Sequence, residues 1–179
     1  MDTGVISSRY ARAIYEYAEE KGMEALIYKE MSVLANNFQK LPRLRKTLIN
    51  PMISIDSKIS ILITACGIEI ADVLGKAIEI IVKSGRAEYM ENIALKYEEV
   101  YRKAKGIVIV NLTTAEAIDK DVEKALLGII PKEESEKTFE FNSVIDPSII
   151  GGFILEIKDR LMDAGVRTQL NQLRLDLTE

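Results

Sequence analysis

The stretch Asp146-Pro147-Ser148-Ile149-Ile150-Gly151-Gly152-Phe153-Ile154-Leu155-Glu156-Ile157, continuing through Lys158 to Arg174, decides how this chain is read. Asp146 precedes a proline, which pushes it out of the helical region and stops whatever comes before. Gly151-Gly152 admits a bend or a close backbone approach that a Cβ would resist. Phe153 to Ile157 then reads as a strand and Lys158 to Gly165 as a polar turn. The remainder reads as a helix on which Val166, Leu170, Leu173 and Leu177 share one face.

Working back from there, the hydrophobic period changes at Gly106. Ile107-Val108-Ile109-Val110 is a β-branched run that favours a strand covered on both faces, closed by Thr113 and Thr114. The spacing predicts a helix from an Asp119 cap through Val122, Leu126 and Ile129 to Pro131. The acidic loop Glu133-Glu134-Ser135-Glu136 leads into Phe139 and Phe141, which alternate as in a half-buried strand. The order strand, helix, strand, strand, helix defines a small α+β domain over 106–179.

Residues 1–105 read as a six-helix bundle joined to that domain without a long linker, so the fold class is α+β. The first helix, Val5 to Lys21, places Ile6, Tyr10, Ala13, Ile14 and Tyr17 on one face; Ala11, Tyr15 and Ala18 widen the apolar arc to roughly 200°, about twice what packing on a core requires. Arg9, Arg12, Glu16 and Glu19 hold the other side. The second helix, Met23 to Gln39, stops before Pro42, which opens a short third one. Ser54 is the expected N-cap of a fourth helix, with Asp56 in its first turn facing the helix dipole. That helix is expected to bury Ile55, Ile59, Leu62, Ile63 and Cys66. In the fifth, Ile70 to Ser84, Val73, Ala77, Ile80 and Ile81 form a face that Ala71, Leu74, Ile78 and Val82 again widen to roughly 200°. Gly85 ends it. The sixth, Ala87 to Lys105, is expected to bury Tyr89, Ile93, Tyr97, Val100 and Tyr101 and to leave Glu91, Glu98, Glu99, Arg102 and Lys103 as solvated surface. The over-wide arcs fit either a helix sandwiched deep in a bundle or one whose second flank receives a partner.

Composition narrows the function. A chain of 179 residues, 47% apolar, holds enough hydrophobic material for a core. The single cysteine, Cys66, permits no internal disulfide and reads as a small buried hydrophobe. The N-terminus lacks the basic region and uncharged run of a signal peptide. The greasiest segment, Ile59 to Val82, is interrupted by Glu69, Asp72, Lys76 and Glu79, so the chain is expected to meet a membrane only through partners. Basic against acidic residues number 15 to 14 up to Ala104 and 9 to 14 beyond it, for a net charge of −4. An acidic chain without a basic stripe is a poor match for nucleic acid.

Enzyme readings lack parts. There is no histidine, and so neither the commonest general base nor the commonest metal ligand. No phosphate-cradling G-x-x-x-x-G-K-[ST] occurs, and Gly151-Gly152 precedes a strand where such a loop precedes a helix. Asp159 and Asp163 bracket a turn in the manner of a carboxylate pair or magnesium site, but turn aspartates ordinarily bond to nearby backbone. Arg160 and Arg167 then read as their local ion-pair partners. No cofactor is expected.

The order D-P-x-I-I-G-G-F, a strand, then D-R-x-x-D-x-x-V-R-x-Q-L-x-x-L resembles the C-terminal signature of the delta subunit of F-type ATP synthases, the OSCP of mitochondria. Ser8-Arg9-Tyr10-Ala11-Arg12-Ala13 followed by Tyr15 is similar to that family's opening helix, and Ser84-Gly85-Arg86 to its G-R junction between the last two bundle helices. Gly165 departs from it, since a serine is common there. The resemblance implies a non-catalytic stator, or peripheral stalk, subunit that supports proton-driven ATP synthesis at the cytoplasmic face of the bacterial inner membrane. Its helical domain would cap the catalytic head by binding N-terminal segments of alpha subunits. Its C-terminal domain, within Gly151 to Leu177, would join the C-terminal helices of the b subunits, while Asp146, Gly151, Gly152 and Arg167 serve the fold. Arc width together with the family pattern places the alpha contact on Tyr10, Ala11, Ile14, Tyr15, Ala18, Leu74, Ile78 and Val82. The alternative is a helix-binding adaptor or scaffold of another cytosolic assembly.

Overall fold

The computed structural model describes residues 3–67, 70–116, 138–157 and 160–177. The chain divides into two compact units, Met1–Ala104 and Lys105–Glu179. The first holds six helices, α1 (Thr3–Glu20), α2 (Glu24–Lys40), α3 (Pro42–Ile49), α4 (Ile55–Cys66), α5 (Asp72–Lys83) and α6 (Met90–Lys105). The second holds strands β1 (Ile107–Thr114), β2 (Thr138–Ile145), β3 (Phe153–Ile157) and β4 (Arg160–Asp163), followed by helix α7 (Val166–Asp176). The class is α+β, as the periodicity predicts. The predicted helix Asp119 to Pro131 and the acidic loop after it lie outside the described residues.

In the bundle, Ile27, Met31 and Leu34 of α2 have no exposed surface, and each such burial stabilises the fold by roughly 1.5–3 kcal/mol relative to leaving the side chain in water. Pro42 sits in the first turn of α3, where its missing N–H costs nothing. Ser54 caps α4 by accepting the Ser57 N–H at 3.2 Å. The α4 face is narrower than its spacing predicts: Leu62 and Cys66 are buried, whereas Ile55 is 48% exposed and Ile59 and Ile63 are half-buried. On α6, Tyr89 and Val100 are likewise only half-buried, and Ala87–Tyr89 forms a 3₁₀ turn ahead of the helix. Three of its charged residues do more than face solvent. Arg45 Nε on α3 donates to Glu91 at 2.8 Å, and Arg102 donates to Glu98 at 3.1 Å on α6 and to the Tyr28 hydroxyl at 3.4 Å.

α5 begins at Asp72, two residues later than its spacing predicts, because Ala71 is extended and its N–H donates to Glu30 Oε1 on α2 at 2.8 Å. Glu30 is buried, and among the described residues its other oxygen meets no donor. Burial pushes its carboxyl above the ordinary glutamate range, and the Ala71 N–H opposes the rise. Beside it Cys66 is 2% exposed. Burial, with the Glu30 charge adding, pushes its thiol up to about 12, which leaves it inert as a nucleophile.

The sheet of the second unit runs β2-β1-β3-β4. β1 pairs parallel with β2 and antiparallel with β3, and β3 pairs antiparallel with β4. The run from Ile107 does not have both faces covered: burial alternates strictly along all of β1, Thr113 and Thr114 included. An inner strand with one face on a core needs only every second side chain inside. Val110 lies opposite Phe141 of β2 and Ile157 of β3, and Val110, Leu112 and Leu155 form the core against which Phe139, Phe141, Phe153 and Ile157 pack. On the other face Asn142 donates to Asn111 at 3.1 Å and Asn111 to Glu156 at 3.3 Å, a polar ladder across three strands.

The segment expected as a polar turn contains β4 instead. An edge strand needs backbone pairing on one side only, so an exposed Arg-Leu-Met-Asp suffices. Asp146 accepts the Ser148 N–H at 2.9 Å and opens the turn before Gly151-Gly152. Gly152 has φ +74°, and a Cβ there would lie 2.2 Å from the Ala164 carbonyl oxygen. Only glycine lets the start of β3 pass the end of the β4 segment this closely.

Two outcomes are expected. Gly152→Ala should lower stability by about 2–5 kcal/mol, from left-handed backbone plus overlap, measured by urea unfolding. For Glu30, between its ordinary value of 4.5 and its raised value the native state holds a proton the unfolded chain has lost, so stability falls as pH rises. Glu30→Gln, which keeps the acceptor, should remove that fall, seen as a Gln-minus-Glu difference that is flat at low pH and grows through the window.

Candidate functional site

The two helices with over-wide arcs use their flanks in the reverse of the expected sense. Ala11 and Ala18 have no exposed surface, and Ile14 and Tyr15 are each 6% exposed. Alanines seven residues apart let α1 lie close to its neighbours, and the Tyr15 ring then packs 6.2 Å from Tyr97 and 6.4 Å from Tyr101 of α6. Tyr28 of α2 stacks on Tyr101 at 4.4 Å. The Tyr15 hydroxyl donates to Glu19 at 2.9 Å, and Tyr97 donates to the Glu24 carbonyl at 3.2 Å, so these buried phenols are satisfied. On α5, Leu74, Ile78 and Val82 are at most 3% exposed. Of the eight residues expected to meet a partner, seven therefore sit in the bundle's interior. Tyr10 alone is half-exposed.

The opposite flanks are open. Tyr10, Ala13 and Tyr17 of α1 face Lys76, Ala77 and Ile80 of α5 across a groove of about 230 Å³. Ile14, Val73 and Ile81 line it more deeply. Ile80 is 62% exposed and Tyr17 43%. Drug-sized ligands occupy pockets of about 300–1,000 Å³ lined with several convergent polar groups. This hollow is smaller, and Lys76 is its one charged lining residue. Its shape and chemistry suit a row of apolar side chains from an amphipathic helix. Spacing alone puts Ala13, Tyr17, Ala77 and Ile80 on the principal apolar faces. The available signal was the pair Ala11 and Ala18, small residues that mark the closer packing face.

One end of the groove is held by the two motifs at the bundle's extremes. Gly85, with φ +74°, turns the chain after α5, and Arg86 comes back over α1. It donates to the Tyr10 hydroxyl at 2.5 Å and stands 5.6 Å from the ring centre. The Ser84 hydroxyl contributes most to lowering the Tyr10 phenol's titration, burial opposes it, and Arg86 adds to the lowering.

The described carboxylate of the C-terminal turn, Asp163, is structural. Asp163 accepts the Gly165 N–H and the Thr168 hydroxyl, both at 2.8 Å, and so ties the turn to the start of α7. Gly165 stands at the N-cap position without a side-chain bond of its own, and Asp163 tethers it to the first turn through the Gly165 N–H and the Thr168 hydroxyl. Asp159 lies outside the described residues. Among the described residues no group of three or more potential ligands is placed to hold a metal. α7 has no buried residue, and Leu170, Leu173 and Leu177 are 52%, 57% and 86% exposed.

The fold is a helical bundle with an open apolar groove, followed by an α+β unit whose last described helix keeps its leucines exposed. The family model of the ATP synthase delta (OSCP) subunit matches residues 6–177. Relatives include ATP synthase subunit delta of Azobacteroides pseudotrichonymphae, 46% identical over 99% of this chain and all of that one. That of Parabacteroides distasonis is 38% identical over 100% and 99%. The chain belongs to the ATP synthase delta (OSCP) family, and is a structural, non-catalytic subunit of the F-type ATP synthase peripheral stalk. A chain of the Toxoplasma gondii mitochondrial ATP synthase hexamer shares the fold with a TM-score of 0.66 over 97% of both chains at 17% identity.

The reversal of the flanks has a measurable consequence. Tyr15→Ala should cost about 3–5 kcal/mol in urea unfolding, as for other buried aromatics, whereas Ile80→Glu should stay within about 0.5 kcal/mol of the parent.

Proposed function

We propose that the groove between α1 and α5 receives an amphipathic helix from the N-terminal segment of an alpha subunit, and that the second unit grips the C-terminal helices of the b subunits. The chain would thereby tie the catalytic head to the membrane anchor at the cytoplasmic face of the bacterial inner membrane. The single observation that carries the first half is the open apolar trough of Tyr10, Ala13, Tyr17, Ala77 and Ile80. Among the described residues no helix is long and apolar enough to cross a membrane, which fits contact with the bilayer through partners alone. A stator resists torque by persistent contact and rigidity. The interior tyrosine cluster behind α1 and the Arg86–Tyr10 clamp at one end of the groove supply rigidity.

Calorimetry with a peptide from the alpha-subunit N-terminus tests the reading. Ile80→Glu and Tyr17→Glu, both at exposed positions, should each weaken binding at least about tenfold, or about 1.4 kcal/mol, with the unfolding midpoint unchanged. A peptide that fails to bind the parent protein, or that binds Ile80→Glu as well as the parent, overturns it.

A further inference from the structure

The two edges of the sheet are built differently. β4 is four residues long and begins with Arg160, the short, charged form by which natural edges avoid pairing with other chains. β2 has neither defence. It runs for eight residues, Thr138–Ile145, where about five or six are usual, and it contains no lysine, arginine, proline or glycine. One side of it pairs with β1 along its whole length. On its other side, as the first strand in the order β2-β1-β3-β4, it meets no strand among the described residues. The backbone N–H and C=O groups of such an edge form a template for another strand. The second half of β2 also lies open in its side chains: Asn142 and Ser143 are exposed, Val144 is 49% exposed and Ile145 55%.

Those side chains fit a second copy of the same strand. Phe139, Phe141 and Ile145 alternate onto the core face of the sheet, and Glu140, Asn142 and Val144 onto the face of the polar ladder. A twofold axis through Asn142, normal to the sheet, generates an antiparallel pair in which each face stays continuous. Phe139 then stands opposite Ile145 of the second copy, an aromatic against a β-branched side chain. Asn142 stands opposite its own copy. An amide both donates and accepts, so the ladder of Glu156, Asn111 and Asn142 runs on into that of the second chain. The two Glu140 carboxylates fall four residues out of register, about 13 Å apart along the strands, beyond the screening length of about 8 Å at physiological salt. An axis through Phe141 would bring them to about 7 Å. We infer that β2 pairs antiparallel with β2 of a second copy of this chain about an axis through Asn142, joining two four-stranded sheets into one. The pairing uses neither the groove nor α7.

The oligomeric state of the full-length chain, followed by sedimentation from micromolar to millimolar concentration, tests this. The parent should pass from monomer to dimer across that range. Val144→Lys and Ile145→Lys, both at exposed positions, should weaken dimerisation at least about tenfold and leave the unfolding midpoint unchanged. Ile80→Glu in the groove and Leu173→Glu on α7 should leave dimerisation as it is. Under mild oxidation Asn142→Cys should be captured as a disulfide-linked dimer, because directly opposite residues have Cα atoms about 4.5–5.5 Å apart. Val144→Cys, whose two copies stand about 13 Å apart along the strands, should not be captured, and the buried Cys66 supplies no background. A parent that stays monomeric throughout overturns the inference. So does a dimer that survives both lysine variants, or one that is lost with Ile80→Glu or Leu173→Glu instead. A dimer broken by the lysines but not captured through Asn142→Cys overturns the register.

Discussion

The packing of Tyr15 of α1 against the tyrosines of α6, with Ala11 and Ala18 buried on either side of it, is the contact on which the bundle's surface depends. An apolar arc of roughly 200° on one helix exceeds what a single packing interface covers. Once one flank is committed to the core, the other must face outward. The two fully buried alanines decide the matter, because small side chains permit close backbone approach. They turn the bulky Tyr15 inward and leave Tyr17 and Ala13 on the groove. α5 follows the same logic, with Leu74 and Ile78 interred and Ile80 exposed. A groove built this way shares its rods with the hydrophobic core, so it cannot deform without cost to the packing behind it.

Polar contacts at the ends of α5 complete that rigidity. Glu30 meets its first turn through the Ala71 N–H, and Arg86 returns from just past its last turn to Tyr10 on α1. A buried carboxylate with one unmatched oxygen is an expensive way to secure a helix start. Burial also raises its proton affinity. The arrangement places a directional constraint where hydrophobic contact alone would permit sliding.

The second unit solves a different problem. Its sheet buries one face and carries a polar ladder of Asn142, Asn111 and Glu156 on the other, and its last helix contributes nothing to the interior. Gly152 and Asp163 serve the junction between sheet and helix. The first permits the close crossing at Ala164, and the second terminates the turn and starts α7. The sequence signature from Asp146 to Leu177 is thus largely a device for launching a helix whose leucines remain uncovered.

The amino-acid order by itself determined the helix count and near-boundaries of the bundle, the change to strands at Gly106, the Ser54 cap, the structural role of Gly152 and the family. These follow from local rules: hydrophobic period, proline and glycine punctuation, and capping chemistry. It did not determine β4, because an exposed edge strand leaves no alternation to read. It identified α1 and α5 as the helices with surplus apolar surface, but periodicity describes angles around one helix and carries no information about where the neighbours stand. Only the tertiary structure decided that Tyr15 and Ile78 face inward while Tyr17 and Ile80 face out, because that choice depends on how closely α1 and α5 approach the helices packed behind them.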